Sequence, residues 1–396
     1  MKGAFFIIVI ICNCWSLFGQ SDGTYDTQPY RKIIRHFENR WDFLQEGRIL
    51  RGLPIDSSSK PSNSSLYKTK SFNLSLSEHP VKFDTSHFVL SNPNFTDDFD
   101  GDNYINYPVS FSGIYEDKLI SLFTNGKFLC HNLQSIERDI HFEQRLNTKK
   151  FEYHWIIDSH LYALSGNRIF RWDNQNWVKS ELNISLNDQR IIFADQEFIV
   201  FGDCHGEWGG TVYFFDRASG ETHFTESSCT NSVLKKDGKY IVLAHLGHMN
   251  GSSEVKWIDD PRKLPRANKH EINKKKEGQT LGYLDNSGVC QKQLDIHGIV
   301  LISTFNYDQR ELYIAHLAEF TFAAEINGTD IQIVHPLFGN KLYAYSPITR
   351  NYENFTLINL DQYGTAHDKE VEVAVIIIKE DAILKLDWNE NQSHPR

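Results

Sequence analysis

Short segments that alternate apolar and polar residues, each closed by glycine, dominate the hydrophobic pattern of the chain. Residues 198–224 show it most clearly, because three segments rich in β-branched and aromatic residues follow one another there. Gly206, Gly209 and Gly210 allow positive φ at the first reversal, and residues 216–220 have the Asp and Gly of a tight hairpin turn. The pattern predicts an antiparallel meander of three short strands.

The same unit recurs from residue 119 onward. Seven copies of its second strand can be aligned, and they begin at Lys127, Arg168, Thr211, Glu254, Glu311, Lys341 and Ala382. The intervals between successive starts are 41, 43, 43, 57, 30 and 41 residues. A four-stranded propeller blade with its loops takes about 40 to 45 residues. A two-sheet sandwich needs no such period, whereas in a propeller each blade packs against the next. We therefore predict an all-β fold, a β-propeller, with seven four-stranded blades favoured over six or eight.

The N-terminal region has a different pattern. Residues 1–20 combine one early lysine, an apolar stretch and small residues near Gly19, as a secretory signal peptide does, and are too short to span a bilayer. Residues 27–47 have apolar positions at helical spacing, which predicts one amphipathic helix. We expect a signal peptide over 1–20, this helix and an extension over 21–80, and the propeller domain over 81–396. No transmembrane segment is expected in the mature chain.

Composition and cysteine content limit the class of protein and its compartment. The 396 residues are 40% apolar and 13% aromatic, and 41 basic against 51 acidic residues give a charge of −10. Global disorder is excluded, and general nucleic-acid binding is disfavoured. Four cysteines follow the signal peptide, and three pairings are possible in an oxidising compartment. Cys204 with Cys229 is the preferred disulfide, because both lie at the edges of the meander; four buried thiols are the alternative.

Eight Asn-x-Ser/Thr sequons fit an extracellular eukaryotic protein, although Asn-rich bacterial sequences produce such triplets by chance. They begin at Asn63, Asn73, Asn94, Asn183, Asn250, Asn327, Asn354 and Asn391. Together with the signal peptide, they lead us to expect a secreted or periplasmic protein.

Two stretches resemble known propeller blades. Residues 160–173, with Asn176 and Trp177 after the turn, resemble a kelch-type blade, and residues 212–221 resemble the strand and turn of quinoprotein-like blades. Each resemblance covers a single blade. No kelch double glycine recurs in register, and the repeating tryptophan of the quinoprotein class is absent. The resemblance implies the β-propeller superfamily without a specific family, and no pyrroloquinoline quinone cofactor.

An acidic segment predicts a metal site. Its carboxylates alternate along the chain, and an extended loop would direct them to one point, as an oxygen-liganded cation requires. The segment resembles the calcium loop of integrin-type propeller repeats, with Asn103 for the glycine and Asn106 for the last aspartate. Asparagine tolerates left-handed φ and its amide oxygen can ligate. The hypothesis is calcium bound by Asp98, Asp100, Asp102, the Tyr104 carbonyl and Asn106; the alternative is a solvated acidic loop.

A second group of polar residues follows the first strands of two neighbouring units. Consecutive blades would place these reversals side by side on one face of the ring, where imidazoles and carboxylates can bind a metal or act as acid and base. The candidates are Asp203, His205, Glu207, His245 and His248; the alternative is that they are turn residues bonded to backbone. Trp208 invites a sugar-stacking interpretation, with buried packing between blades as the alternative.

No sequence motif of a known catalytic class is present: no His-Glu-x-x-His, no Gly-x-Ser-x-Gly and no phosphate-binding glycine loop. The sequence therefore predicts a secreted, non-catalytic, monomeric propeller that binds a protein or glycan through loops on one face. The alternative is an extracellular hydrolase or lyase that uses the His and carboxylate residues above. One basic cluster is either a solvated loop or a contact for an anionic partner: Arg262, Lys263, Arg266, Lys269 and residues 274–276.

Overall fold

The chain folds into successive small antiparallel sheets. The computed structural model describes residues 65–93, 108, 110–182, 184, 189–247, 251–267, 287–317, 320–337, 347–360 and 374–388. The predicted signal peptide and the predicted helix at 27–47 lie outside these residues. Three strands precede the first sheet: β1 (Ser65–Lys68), β2 (Asn73–Leu76) and β3 (Asp84–Val89).

Six sheets follow one another along the described chain, and each is one blade. The first contains β4 (Gly113–Tyr115), β5 (Lys118–Leu122) and β6 (Phe128–Asn132). The second contains β7 (Tyr153–Ile157), β8 (His160–Ser165), β9 (Arg168–Trp172) and β10 (Trp177–Lys179). The third contains β11 (Arg190–Ala194), β12 (Phe198–Cys204), β13 (Gly210–Asp216) and β14 (Thr222–Glu226).

The last three blades have the same order of strands. The fourth contains β15 (Thr230–Lys236), β16 (Lys239–Leu246), β17 (Ser252–Ile258) and β18 (Gln291–His297). The fifth contains β19 (Val300–Tyr307), β20 (Arg310–Leu317), β21 (Phe320–Asn327) and β22 (Asp330–Leu337). The sixth contains β23 (Ile348–Asn351), β24 (Thr356–Asn359), β25 (Ala374–Lys379) and β26 (Ala382–Asp387).

Tight turns join the first and second strands of the blades. Both central residues have positive φ at Glu116–Asp117, at Asp158–Ser159 and at Asp308–Gln309. Turns of this kind match the right-handed twist of the strands they join. Because neighbouring strands are antiparallel, the turns between first and second strands and those between third and fourth strands lie on one face of the ring. We call it the turn face, and we call the opposite face, which carries the connections between second and third strands, the linker face.

Apolar packing closes the ring. The buried core consists of six clusters, and each one joins two neighbouring blades. Phe128 and Trp177 stack between the first and second blades with ring centroids 5.9 Å apart. Phe123 and Trp388 meet edge to face at 5.3 Å between the first and sixth blades. Since the first blade packs against both the second and the sixth, the predicted β-propeller is confirmed.

The predicted count of seven blades is wrong, because the described residues form six. The aligned copy at Lys127 begins one residue before the third strand of the first blade, and those at Arg168, Thr211 and Glu254 begin at or inside the third strands of the next three blades. Glu311 lies instead in a second strand and Ala382 in a fourth strand, and Lys341 lies outside the described residues. The alignment thus changed strand after the fourth blade and counted one unit too many.

N-terminal strands complete the last two blades. Strand β2 pairs in parallel with β22, with Asn73 opposite Asp330, and β1 pairs with β2. Strand β3 pairs in parallel with β26. Residues ahead of position 81 therefore belong to the sheet of the fifth blade.

A short helix, α1 (Ile140–Leu146), lies beside β6, where the other blades have a fourth strand. Asp139 caps its start by accepting a hydrogen bond from the Phe142 amide at 2.9 Å. Helix α1 was not predicted from the sequence, and its seven residues are too few to change the all-β class.

Candidate functional site

The reversal between β12 and β13 is a compact loop on the linker face, and we call residues 205–209 the Trp208 loop. It contains a 3₁₀ turn, Gly206–Trp208, closed by a bond from the His205 amide to the Gly209 carbonyl at 2.9 Å. Gly206 and Gly209 have positive φ. A Cβ at Gly210 would lie 2.4 Å from the Ser228 carbonyl oxygen, so only glycine fits where the chain enters β13.

A disulfide fixes the base of this loop. Cys204, the last residue of β12, is bonded to Cys229, just ahead of β15, with Cα atoms 4.6 Å apart. The bond joins the third blade to the fourth, and the predicted pairing is confirmed. Cys130 is buried and Cys290 is half-buried. Burial raises the pKa of the Cys130 thiol well above its ordinary value, which keeps the thiol protonated and unreactive.

The structure brings four of the five candidate residues to the same side of the third and fourth blades, but not to one point. Asp203 accepts a hydrogen bond from the Tyr213 hydroxyl at 2.9 Å. His245 is 1% exposed, and its Nδ1 lies 2.6 Å from the Asn231 amide nitrogen. That nitrogen also donates to the Leu301 carbonyl at 2.8 Å. His245 thus belongs to the packing between the fourth and fifth blades.

The other candidates lie near the surface. His205 is half-buried and Glu207 is exposed, while His248 lies outside the described residues. Within the described part of the chain, no group of three or more His, Cys, Asp or Glu side chains is close enough to hold a metal ion. The predicted calcium ligands Asp98, Asp100, Asp102, Tyr104 and Asn106 also lie outside the described residues, so that hypothesis stays a prediction.

Trp208 projects into solvent. Its side chain is 52% exposed, so it is not packed between blades. The other exposed tryptophan of the described chain, Trp257, is 36% exposed on strand β17 and lies under the Lys239 ammonium. Trp208 differs because it lies on a loop whose base is covalently fixed. An exposed indole on a rigid loop can stack on a sugar ring or fill an apolar pocket of a partner.

Ion pairs cover the turn face between the third and fourth blades. Lys235 lies 3.0 Å from Asp195 and 2.6 Å from Glu197. Arg262, from the predicted basic cluster, contacts Glu197 at 3.2 Å and Asp216 at 2.8 Å. Hydrogen bonds from Lys235 and Arg262 hold the pKa of Glu197 below its ordinary value. Arg262 therefore joins neighbouring elements of this chain.

A cavity of about 660 Å³ opens between the fifth and sixth blades on the turn face. Its lining includes the aromatic rings of Tyr307 and Tyr352 and the carboxylates of four residues: Asp308, Glu353, Glu380 and Asp381. Burial, with Asp381 and Asp308 nearby, raises the pKa of the Tyr307 hydroxyl. The sequence analysis did not single out this cavity, because its residues come from three separate turns and from the strands beside them.

Two further polar side chains, one buried and one half-buried, were missed by sequence reasoning. His154 lies in β7 with its Nδ1 hydrogen-bonded to the Ser110 hydroxyl and its Nε2 3.2 Å from the Ile120 carbonyl. Burial lowers its pKa to about 4. Arg350, on β23, donates to the Ile156 carbonyl at 3.0 Å and to the Ile191 carbonyl at 3.4 Å. A histidine inside an otherwise apolar strand was the only signal that the sequence offered.

Comparisons with known proteins place the chain in no family. No family model matches it. No curated protein matches it either. Its fold is similar to BamB from Moraxella catarrhalis, with 10% identity over 64% of this chain and 83% of that one and a TM-score of 0.34. The WD40 repeats of RRP9 match at 11% identity over 69% and 94%, with a TM-score of 0.38. The N-terminal domain of Nup159 matches at 8% identity over 79% and 84%, with a TM-score of 0.33.

The class of the protein follows from its own sheets and core clusters. Over the described residues it is a β-propeller of six blades, with an interblade disulfide and N-terminal strands added to the last two blades. In the described residues, no helix has the length and apolar character that a membrane span requires.

Proposed function

We propose that this chain is an exported, non-catalytic β-propeller that binds a protein or glycan partner through the linker face, with Trp208 at the centre of the contact. The observation that carries the proposal is an indole, 52% exposed, on a loop whose base is held by a disulfide. Aromatic residues that need no reordering on binding are the side chains that dominate interface energetics.

The loop is rigid before any partner arrives. The Cys204–Cys229 bond, the 3₁₀ turn and the close approach at Gly210 each restrict its backbone. A preordered loop loses little conformational entropy on binding, so more of the contact energy appears as affinity. His205 and Glu207 flank the indole and offer hydrogen-bonding groups to a partner.

Export is supported by the covalent chemistry. Disulfides persist in oxidising compartments and are rare in the cytosol. Together with the signal-like N-terminal sequence, the Cys204–Cys229 bond supports a secreted or periplasmic location.

The same geometry favours binding over catalysis at this face. Acid–base chemistry needs groups that can reach one reacting atom. Asp203 is bonded to Tyr213, and His245 is buried against Asn231. These contacts give both residues structural roles at the junction of the third and fourth blades.

The proposal is tested with the indole removed. We expect Trp208→Ala to weaken binding about tenfold or more, as the loss of a central aromatic contact does. The matched control is Trp257→Ala, which removes the other exposed tryptophan and leaves the linker face intact. The mature chain and both variants are applied to a glycan array, and a photo-crosslinking residue beside Trp208 captures protein partners from extracellular fluid.

Two results contradict the proposal. One is a wild-type chain that binds no glycan and is crosslinked to no protein. The other is binding that Trp208→Ala and Trp257→Ala reduce equally, because this would place the contact away from the Trp208 loop.

A further inference from the structure

Three of the sequons lie in the described part of the chain, and the structure places all three on the turn face. Asn327 is the last residue of β21, where the chain enters the turn to β22, and Asn354 is in the turn between β23 and β24. Asn73 lies opposite Asp330, the first residue of β22, and so is at the same end of the fifth blade. The linker face with the Trp208 loop is on the opposite side of the ring.

We propose that Asn327 and Asn354 carry N-linked glycans in the exported protein. The proposal rests on export, which is part of the proposed function, and goes beyond it by assigning a covalent modification to two side chains. An Asn-x-Ser/Thr triplet in a surface loop of a secreted protein is the acceptor for this modification.

Exposure separates these two asparagines from the third. Asn327 and Asn354 are both exposed. Asn73 is half-buried in strand β2, and its amide nitrogen lies 3.2 Å from the Asp330 carboxylate. A glycan on an exposed turn displaces no packed atom, whereas a glycan in the middle of a paired sheet must fit between neighbouring side chains.

The threonines of the two sequons are compatible with attachment of the sugar before the chain folds. Thr329 is exposed in the turn. Thr356 is 7% exposed and donates to the Asn351 side chain at 2.6 Å, so its hydroxyl must be used before the sixth blade forms. Attachment to the chain before folding meets this requirement, and the folded turn then leaves the attached sugar in solvent.

The chemical step balances with one co-reactant, a lipid-linked oligosaccharide. The asparagine Nδ2 forms a bond to the anomeric carbon of the first sugar, and that carbon breaks its bond to the phosphate oxygen of the carrier. The amide nitrogen loses one proton to solvent, and the lipid carrier leaves as its diphosphate. No oxidant or reductant is needed.

Glycosylation here has a consequence for recognition. Asn354 lines the cavity between the fifth and sixth blades, so a glycan on it covers the mouth of that cavity. Both glycans lie on the face opposite Trp208. They therefore block large partners on the turn face of the last two blades while leaving the Trp208 loop accessible.

The test uses the full chain secreted from cultured eukaryotic cells with its own leader. Enzymatic removal of N-glycans in heavy-oxygen water converts each occupied asparagine into a labelled aspartate, which peptide mass spectrometry detects. We expect the label at Asn327 and at Asn354. Asn354→Gln and Thr329→Ala should each remove one label and reduce the mass of the secreted chain, while Thr329→Ser, which keeps the sequon, should restore the label at Asn327.

Asn176→Gln is the matched control, because Asn176 is an exposed turn asparagine without a sequon, and its replacement should leave the mass distribution unchanged apart from the substitution. A secreted chain in which the peptides of Asn327 and Asn354 are both unlabelled overturns the glycosylation proposal alone. A chain that is not exported overturns it together with the export part of the proposed function. The Trp208 contact is judged separately, by binding of the deglycosylated chain.

Discussion

At the scale of single residues, buried histidines make the stability of this propeller depend on pH. His154 is fully buried, and both ring nitrogens have partners, the Ser110 hydroxyl and the Ile120 carbonyl. The carbonyl accepts from Nε2, so Nδ1 accepts from the hydroxyl and the imidazole is neutral. Burial lowers the pKa of His154 from 6.5 to about 4. The pKa values of His131 and His335 are lowered for the same reason.

This depressed pKa makes stability depend on pH. Between pH 6.5 and about 4 the unfolded chain binds a proton that folded His154 does not. The contribution of His154 to the free energy of unfolding is therefore fully present above about pH 6.5. It falls by on the order of 3 kcal/mol as the pH falls through this window. Urea unfolding at a series of pH values measures the loss. His154→Gln should make the dependence shallower.

Exposed His297 provides the control, because His297→Gln replaces an imidazole that folding does not bury. A pH dependence of unfolding that is the same in the wild type and in His154→Gln would show that His154 does not contribute to it.

At the scale of elements, the first blade shows how a missing strand is replaced. Helix α1 lies where a fourth strand would pair with β6, and only part of this edge is bonded to backbone, through the Asp139 amide on the Cys130 carbonyl at 2.8 Å and the Asn132 amide on the Glu137 carbonyl at 2.9 Å. The Glu143 carboxylate accepts a hydrogen bond from the Cys130 amide at 3.0 Å. The Asn147 side chain accepts from the Phe128 amide at 2.7 Å and donates to the Phe128 carbonyl at 2.9 Å. Two side chains thus satisfy three of the backbone groups that a neighbouring strand would otherwise bind.

Asn147→Ala tests this substitute for a strand. It leaves the amide and carbonyl of Phe128 without a partner, so we expect the free energy of unfolding to fall by about 1–3 kcal/mol. Gln144→Ala, an exposed change on the same helix, should stay within about 0.5 kcal/mol of the wild type. Equal unfolding midpoints in urea for the two variants would count against a structural role for Asn147.

At the scale of the whole molecule, polar contacts supplement the apolar closure of the ring. The Asn359 side chain binds the backbone of Ser112, accepting from its amide at 2.8 Å and donating to its carbonyl at 3.0 Å. This joins the sixth blade to the segment that enters the first. Arg350 extends from β23 to carbonyls of the second and third blades. One guanidinium thus connects three inner strands across the ring.

We expect Arg350→Ala to lower the free energy of unfolding by about 2 kcal/mol, because two backbone carbonyls lose a charged donor. Arg350→Lys should recover only part of the loss, since a single ammonium does not reproduce the planar donor fork of arginine. Arg168→Ala, at an exposed position of β9, is the control. Thermal unfolding that is equal in the Arg350 and Arg168 alanine variants would exclude a cross-ring role for Arg350.

Much of the architecture was encoded locally and could be predicted. Alternating segments, turn residues and a spacing of 41 to 43 residues predicted the strands of the first four blades and the propeller class. The Cys204–Cys229 bond was predictable because both residues lie beside the same meander. Trp208 was recognised as a candidate, but its exposure depends on how its loop turns away from the neighbouring blade.

The tertiary structure decided the rest, because those features depend on contacts between residues far apart in sequence. The number of blades was misjudged where the chain between β17 and β18 lengthens and the alignment changed strand, and the parallel pairing of β2 and β3 with the last two blades was not predicted. Such pairing leaves no periodic signal, since it joins segments about 250 residues apart along the chain. The same is true of His154, His245 and Arg350, whose residue types suggest chemistry but whose contacts with residues distant in sequence give them structural roles.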